Sequence, residues 1–416
     1  MSCKNFLIYL SIFILILSIL IIYSFDFSYE EIEINNSKAK CLDGSNYKFL
    51  FSKGSGNGTN SFYIFFEQGG FCGDNNFDPK DNDTPQKCCM IRKNTALGSN
   101  KFDLVYRYFN VYISRFFTSS KYFNPIFYNW NKIHIKYCDG TLHMGNNEAP
   151  IVYNNTKLYV RGEENVKSVF EFLIKNYNFS NAKNVLATGS SAGGLAVIFY
   201  AKYIRSLLSD KTDYKVISDF GYFHHGTYKG INRMNGMMTK LKNSFNIKQT
   251  ETMRYINESL DFVGFSNPIK YINNLNNDYP ILFIASSYDS WAIKRLVNIT
   301  CFFGKNVYDS CDKEDIREIE KYSTDVENDF KEIIKNDKTK KITAFVVKGF
   351  MHMYLYFGWS WNDKSYGVNG YSVQEFVHDW YYDLLPKDKK LYYDSKNILK
   401  YKKDVYWYYN YFLPDF

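Results

Sequence analysis

Residues 184–208 read NVLATGSSAGGLAVIFYAKYIRSLL, and this stretch decides the fold. Its beginning, Asn184 to Thr188, is short and apolar and ends at Gly189, as is typical of a buried strand. From Ala192 to Leu208 the apolar residues recur at helical spacing. The Gly-Ser-Ser-Ala-Gly pattern between them is G-x-S-x-G, which displays its central residue, Ser191, on a tight turn. The stretch therefore predicts a strand, a sharp turn carrying a candidate nucleophile, and a helix.

Further segments of the chain have the same strand-like and helix-like character. Short apolar runs that end in turn residues are Ser61 to Phe66, Lys132 to Tyr137, Pro280 to Ala285 and Ile342 to Val347. A second helical periodicity covers Glu164 to Tyr177. Strands that alternate with helices are typical of a mostly parallel sheet with helices on both faces, so we predict the α/β class.

Composition narrows the class of protein. Hydrophobic residues make up 45% of the 416 residues and charged residues 23%, which excludes a mainly disordered chain and a multispanning membrane protein. The net charge of +8 comes from scattered basic residues, so we expect no nucleic-acid partner. The aromatic content of 19% indicates a compositional bias, and single aromatic residues are therefore weak functional signals. No repeat or Pro-rich linker divides residues 41–416, which we predict to form one large domain.

The amino terminus predicts a membrane anchor. Residues 6–25 carry no charge and would form a helix of about 30 Å, which matches the bilayer core. The run is longer than a signal-peptide core and lacks a small-residue cleavage site, so we expect a signal anchor, with a cleaved signal peptide as the alternative. The charge bias places residues 1–5 in the cytosol and the body in the lumen or outside, beyond a polar stalk at 26–40. We therefore expect a single-pass type II membrane protein, or a secreted protein if the N-terminus is cleaved.

Cysteines are typical of a translocated body. Cys3 precedes the anchor and seven cysteines follow it, and an odd number leaves one thiol free or paired between chains. Cys301 and Cys311 bracket a short loop and are expected to pair. The pairing of the others stays open: Cys41, Cys72, Cys88, Cys89 and Cys138. No spacing typical of a structural zinc site occurs. Glycosylation sequons, which are compatible with a lumenal body, stand at Asn35, Asn57, Asn82, Asn154, Asn178, Asn257 and Asn298.

A serine nucleophile needs a base and an orienting acid, which follow the serine in α/β hydrolases in the order acid, then histidine. Asp289 lies just past the strand predicted at Pro280 to Ala285, and its alternative is an ordinary turn residue. His352 lies just past the strand predicted at Ile342 to Val347, and its alternative is a buried packing histidine. The other five histidines come before Asp289 or, for His378, lie in a predicted amphipathic helix. We therefore predict a triad of Ser191, Asp289 and His352.

Two backbone N–H groups should form the oxyanion hole. One is expected from Ala192, the residue after the nucleophile. The other is expected from the loop after the strand at Ser61 to Phe66, where Gly69 and Gly70 let the backbone approach the substrate. A plain β-turn is the alternative for this loop.

Several blocks of the chain, in order, resemble the pectin acetylesterase family, which also contains the Notum carboxylesterases. The blocks are CLDGS at 41–45, FFEQGGFC at 65–72, RKNTALGS at 92–99, FYNWNKIHIKYCDG at 127–140, LYVRG at 158–162, GSSAGGLA at 189–196, YDSW at 288–291 and the region around His352. The resemblance spans about residues 41 to 390. It implies an α/β-hydrolase fold, a triad at Ser191, Asp289 and His352, and an oxyanion loop at Gly69 and Gly70.

The chain departs from the family pattern at three places. Gln68 stands where the family usually has Gly, and Phe71 where it usually has Trp. The usual H-C-Q reads His352-Met353-Tyr354, which removes a cysteine from the family's disulfide set. Two of these departures lie in the oxyanion loop and the third beside the base, so we expect them to affect the substrate range more than the triad.

The sequence thus predicts a serine carboxylesterase that forms an acyl-enzyme and uses neither a metal nor a cofactor. Its expected partner is an ester substrate, and removal of acetyl groups from a glycan or polysaccharide is the main hypothesis. Removal of a longer acyl chain from a protein or lipid is the alternative that the resemblance to Notum implies. A catalytically silent surface-binding protein is the second alternative.

Overall fold

The computed structural model describes residues 29–73, 84–101, 117–256, 261–267, 272, 278–301, 310–355 and 358–393. Its strands are β1 (Tyr29–Glu33), β2 (Lys48–Ser52), β3 (Ser61–Phe66), β4 (Asn131–Ile135), β5 (Ile151–Tyr153), β6 (Thr156–Leu158), β7 (Asn184–Ser190), β8 (Asp213–Asp219), β9 (Ile281–Ser286), β10 (Ile342–Val347) and β11 (Leu391–Tyr393). Nine of them form one sheet in the order β1-β2-β4-β3-β7-β8-β9-β10-β11, and β5 and β6 form a separate hairpin.

The central sheet is mostly parallel, as predicted. Only the pairs β1–β2 and β2–β4 are antiparallel, and all other neighbours run in parallel. The carboxyl ends of β3, β7, β8, β9 and β10 therefore meet at one edge of the sheet. Every loop predicted to carry a site residue follows one of these strands, so the topology brings the loops together.

Helices cover both faces of this sheet. They are α1 (Pro85–Arg92), α2 (Gly162–Tyr177), α3 (Ala192–Ser206), α4 (Arg233–Phe245), α5 (Glu251–Ile256), α6 (Phe262–Phe265), α7 (Ser290–Ala292), α8 (Lys313–Asn336), α9 (Gly358–Trp361) and α10 (Val373–Tyr381). Alternate side chains of β3 enter different cores: Phe62 and Ile64 belong to the core that also contains side chains of α2, α3 and α8, whereas Tyr63 and Phe65 belong to the core that also contains side chains of α10. A strand buried on both faces reads as a continuous apolar run, which explains why the sequence revealed the central strands.

The predicted bounds agree closely with the structure for the central elements. β3 and β10 begin and end as predicted, β7 continues to Ser190, and α3 ends at Ser206. The edge strands β1 and β11, the adjacent strand β2, the hairpin and β8 were not predicted. β8 reads DYKVISD, in which charged residues interrupt the apolar run.

The predicted stalk is corrected in part. Tyr29–Glu33 lies within it but forms β1, which pairs with β2, and Ile34 and Ala39 are buried. The folded domain therefore begins before Cys41. The predicted cytosolic tail at 1–5, the predicted anchor at 6–25 and the end of the predicted domain at 394–416 lie outside the described residues. Within the described part of the chain, no helix has the length and apolar character needed to cross a bilayer.

Three disulfides link the body of the protein. Cys301 and Cys311 are joined, as expected from their spacing. The pairs that the sequence left open are Cys41–Cys138 and Cys72–Cys89, and Cys88 lies outside these three disulfides. Disulfides in this number are typical of proteins that fold in an oxidising compartment, in agreement with a translocated body.

Candidate active site

Ser191 occupies a sharp turn between β7 and α3. Its φ of 53° and ψ of −120° belong to a region that residues with a side chain rarely adopt, and such a conformation costs roughly 1–3 kcal/mol. The turn also needs small neighbours. A Cβ on Gly189 would lie 2.1 Å from the carbonyl oxygen of Gly193, and a Cβ on Gly193 would lie 2.0 Å from the carbonyl oxygen of Phe66. Both glycines of the motif are therefore required by close backbone packing.

The structure brings the three predicted triad residues together. His352 Nε2 lies 2.7 Å from Ser191 Oγ. His352 Nδ1 lies 2.9 Å from Asp289 Oδ1 and 2.8 Å from Asp289 Oδ2. All three residues are buried, with exposed fractions of 5%, 3% and 3% for Ser191, Asp289 and His352. The imidazole thus lies between a hydroxyl that can give up a proton and a carboxylate that can stabilise the resulting cation.

Asp289 and His352 lie on neighbouring loops, which bring the carboxylate to the imidazole. Asp289 follows β9 and caps α7, because its Oδ1 accepts a hydrogen bond from the Ala292 N–H at 3.2 Å. His352 follows β10 in the loop that also contains Phe350. The Ser290 N–H donates to the Phe350 carbonyl at 3.1 Å, which ties the two loops together beside the pair. The acid is therefore positioned by a helix cap and by the loop of the base itself.

Aromatic rings surround the imidazole of His352. Trp291 stacks on it with a centroid distance of 5.6 Å and an interplanar angle of 22°, and Phe220 approaches it edge-on at 5.7 Å. Phe223 and Phe71 contact Trp291 at 5.1 and 6.5 Å. These rings exclude water from the base and form an apolar wall beside it. Trp291 belongs to the YDSW block, but its sequence position alone did not indicate this contact.

Asp219 is a buried carboxylate that sequence reasoning missed. It ends β8, the strand next to β7, and accepts a hydrogen bond from Ser190 Oγ at 2.6 Å. It also accepts from the backbone N–H groups of Tyr354 and Leu355 at 3.1 and 3.0 Å. Its own carbonyl oxygen accepts from the Ser191 N–H at 2.8 Å. Asp219 therefore joins the nucleophile turn to the loop that carries the histidine.

Burial raises the pKa of Asp219 from its ordinary value of 3.8 to about 6. The hydrogen bonds from Ser190 and from the Tyr354 and Leu355 N–H groups act in the opposite direction, because they stabilise the carboxylate. The signal that could have found this residue is an acidic residue at the end of a strand beside the nucleophile strand. That signal was not available because β8 itself was not predicted.

Asp219 should make the stability of the protein depend on pH. Its pKa is about 6 in the folded state against 3.8 ordinarily, so its contribution to the free energy of unfolding is fully present below about pH 4 and is lost as the pH rises through 6. We expect the difference in the free energy of unfolding, wild type minus Asp219→Asn, to fall by about 3 kcal/mol over this range. Urea denaturation at a series of pH values measures it.

The control for this measurement is Asp210→Asn, since the Asp210 side chain is fully exposed. The same difference for this variant should stay flat over the range. A flat difference for Asp219→Asn as well would show that burial does not hold the Asp219 proton.

The predicted oxyanion loop lies against the start of α3. A Cβ on Gly193, in the first turn of that helix, would lie 2.8 Å from the carbonyl oxygen of Glu67. Gly69 and Gly70 have φ values of 145° and 59°, which favour glycine. The Ala192 N–H is among the first N–H groups of α3, which have no intrahelical acceptor. The loop that carries Gly69 and Gly70 thus begins beside the turn that carries Ser191 and Ala192.

Two buried side chains, neither of which was predicted, hold the first residues of this loop in place. The Glu67 carboxylate accepts a hydrogen bond from the Tyr137 N–H at 2.6 Å. The Glu67 carbonyl oxygen lies 2.8 Å from His143 Nε2, and this nitrogen must carry the proton, since a carbonyl oxygen only accepts. Burial lowers the pKa of His143, although the nearby Asp139 opposes this effect. The neutral imidazole is therefore a structural donor to the loop.

Comparison with known proteins agrees with this architecture. The family model described as Pectinacetylesterase matches residues 27–396. The chain belongs to the pectinacetylesterase family. Pectin acetylesterase 4 of Arabidopsis thaliana is 32% identical over 272 residues, which are 62% of this chain and 60% of that protein. The match to this member of the family thus spans about 60% of the relative's length.

The Notum branch of the family is also similar. Palmitoleoyl-protein carboxylesterase NOTUM of Schmidtea mediterranea is 27% identical over 184 residues, which are 44% of this chain and 31% of that protein. The structure of the Wnt deacylase Notum from Drosophila matches with a TM-score of 0.65 and 16% identity, and the match covers 89% of this chain and 97% of the other. This likeness confirms the α/β-hydrolase fold.

Proposed function

We propose that this member of the pectinacetylesterase family is a serine carboxylesterase. The observation that carries the proposal is the position of His352, which lies within hydrogen-bond distance of both Ser191 Oγ and the Asp289 carboxylate. A serine beside a base that is itself held by a carboxylate is the arrangement that acyl transfer uses. Two relatives are named as a pectin acetylesterase and a palmitoleoyl-protein carboxylesterase, and these names support the same reaction class.

In the proposed acylation step, Ser191 Oγ attacks the carbonyl carbon of the ester and its proton passes to His352 Nε2. The carbonyl oxygen becomes an oxyanion, which the N–H groups of Gly70 and Ala192 stabilise. When the carbon–oxygen bond to the leaving alcohol breaks, His352 returns its proton to the departing oxygen. Asp289 stabilises the imidazolium that exists between these two transfers.

In the proposed deacylation step, water attacks the ester between the acyl group and Ser191. His352 takes one proton from this water, and the same two N–H groups stabilise the second oxyanion. Collapse of this intermediate releases a carboxylic acid and returns the proton to Ser191 Oγ. Each step is thus carried out by groups of this chain and one water molecule.

We propose an acetyl ester of a glycan or polysaccharide as the substrate. The relatives called pectin acetylesterases support an acetyl group and a polysaccharide. A longer acyl chain on a protein or lipid is the second candidate. The NOTUM relative supports it, and so does the apolar wall that Phe71, Phe223 and Trp291 form beside the imidazole.

Chromogenic acetyl and octanoyl esters test this proposal on the purified protein. We expect kcat/KM for the acetyl ester to exceed that for the octanoyl ester by about tenfold or more, because a site built for an acetyl group would exclude the added methylenes. A preference for the octanoyl ester would favour the longer-chain candidate. If neither ester is hydrolysed and a fluorophosphonate never labels Ser191, the enzyme proposal is wrong and a surface-binding protein is favoured.

We further propose that residues 6–25 anchor the protein in a membrane and that its body lies in the lumen or outside the cell. The uncharged run and the three disulfides support this location. The full chain should stay in the membrane fraction after extraction with alkaline carbonate. Recovery of the protein in the medium, without residues 6–25, would show a cleaved signal peptide instead.

A further inference from the structure

We propose that Arg92 is a positioning residue for the oxyanion hole: its guanidinium fixes the peptide between Gly69 and Gly70 so that the Gly70 N–H faces the reacting ester. The inference rests on the proposed esterase function. It adds to that function a residue that lies outside both the triad and the oxyanion loop.

The contact is a short hydrogen bond from a charged donor. Arg92 is the last residue of α1, and its Nη2 donates to the Gly69 carbonyl oxygen at 2.6 Å. The guanidinium carbon lies 5.5 Å from the centre of the Tyr137 ring, which fixes the plane of the group. Hydrogen bonds from a guanidinium are stronger than those between neutral groups, so this bond can set the direction of a carbonyl.

The direction of the carbonyl determines the direction of the next N–H. The peptide bond is planar and trans here, so the Gly69 C=O and the Gly70 N–H point in opposite directions. Because the carbonyl points at Arg92, the Gly70 N–H points away from it. In the part of the chain that the structure describes, this N–H donates no hydrogen bond. It is therefore available to a ligand.

The Gly70 N–H points away from a tightly packed group of side chains beside Arg92. A Cβ on Gly69 would lie 2.7 Å from Leu97 Cδ2 and 3.0 Å from Tyr137 Cδ1. Leu97 and Tyr137 are therefore packed tightly against one side of the loop, beside Arg92. The space beside Gly69 is thus filled by these two side chains.

The next residue of the loop leads to the triad. The Phe71 ring contacts Trp291 at 6.5 Å, and Trp291 stacks on His352 at 5.6 Å. The loop thus lies between the side chains around Arg92 and the aromatic wall beside the base. An N–H directed away from Arg92 points to the side of the loop on which the reaction takes place.

The loop needs such an anchor because its two glycines do not hold a conformation by themselves. Gly69 and Gly70 both have positive φ, and glycine reaches several other regions at similar energy. An oxyanion donor is effective only if it is already oriented before the charge develops. The Cys72–Cys89 disulfide holds α1 beside the loop, three residues before Arg92, so the guanidinium is itself well placed.

The test is Arg92→Ala in the purified full chain, assayed with the chromogenic acetyl ester. We expect kcat to fall by about 10- to 100-fold with little change in KM, because the donor stabilises the transition state rather than the bound ester. Millimolar guanidinium should restore part of kcat in this variant and leave the wild type unchanged. Arg92→Lys, which keeps the charge but not the planar fork, should lie between the two.

Arg205→Ala is the matched control. Arg205 also lies in the last turn of a helix, and its Nη1 donates to the Ser209 carbonyl at 3.0 Å. This variant should keep the wild-type kcat. The proposal for Arg92 is overturned if Arg205→Ala loses as much activity, or if the loss in Arg92→Ala follows a lower melting temperature and guanidinium restores none of it.

A crystal structure of Arg92→Ala separates this inference from the proposed function. We expect the peptide between Gly69 and Gly70 to leave its wild-type orientation. An unchanged peptide overturns the positioning role of Arg92 whatever the activity. If the wild type hydrolyses no ester, the proposed function fails, and the orientation of this peptide still decides the role of Arg92.

Discussion

Ser191→Ala is expected to abolish ester hydrolysis, with a fall in kcat of about 10⁵- to 10⁶-fold. The substitution removes the oxygen that lies 2.7 Å from His352 Nε2, so no nucleophile remains at the position where the base can take its proton. Binding and the oxyanion donors are retained, which is why a small residual rate is expected. Hydrolysis of the chromogenic acetyl ester and labelling by a fluorophosphonate measure the two consequences.

Ser190→Ala is the control for this prediction, because the two serines are adjacent in the same motif. Ser190 Oγ donates to the Asp219 carboxylate at 2.6 Å and does not face the imidazole. Ser190→Ala should therefore still be labelled at Ser191, whereas Ser191→Ala should not be labelled at all. Labelling that disappears with Ser190 and persists without Ser191 would reverse the assignment of the nucleophile.

Local sequence patterns were sufficient to predict the central strands and to select the candidate site residues. Buried parallel strands are apolar on both faces, so β3, β7 and β10 appear as uninterrupted runs. The nucleophile turn could be predicted because steric crowding requires glycine on both sides of Ser191, and this requirement produces a recognisable motif. Since the acid and base loops follow strands of the same sheet, their order along the chain was sufficient to place Asp289 and His352 near one another.

The elements and contacts that were not predicted produce no regular pattern in the sequence. β1 reads YEEIE, because an edge strand is partly exposed and tolerates charge. Arg92 and Asp219 form hydrogen bonds with backbone groups. Because almost every residue has the same backbone N–H and C=O groups, the partners of these two side chains cannot be recognised from the sequence. Such contacts connect elements far apart in sequence, and only the folded chain reveals them.

Asp289→Asn is expected to lower kcat by about 10⁴-fold while the protein stays folded. The carboxylate lies within 2.9 Å of His352 Nδ1 through both of its oxygens, so it holds the tautomer in which Nε2 can accept the Ser191 proton. An amide offers an N–H to the same nitrogen and can hold the opposite tautomer, which leaves Nε2 unable to act as a base. It also removes the charge that stabilises the imidazolium. Steady-state kinetics with the acetyl ester measure the loss.

The chain offers a matched control at another helix cap. Asp312 caps α8, where its Oδ1 accepts from the Glu314 and Asp315 N–H groups at 2.9 and 2.8 Å, and Asp289 caps α7 in the same way. Asparagine serves well at a helix cap, so Asp312→Asn should keep its wild-type kcat, and Asp289→Asn should keep its fold. A loss confined to Asp289→Asn then measures the effect of the carboxylate on the imidazole alone. If Asp289→Asn stays active, Asp289 is only a cap and another carboxylate must orient the base.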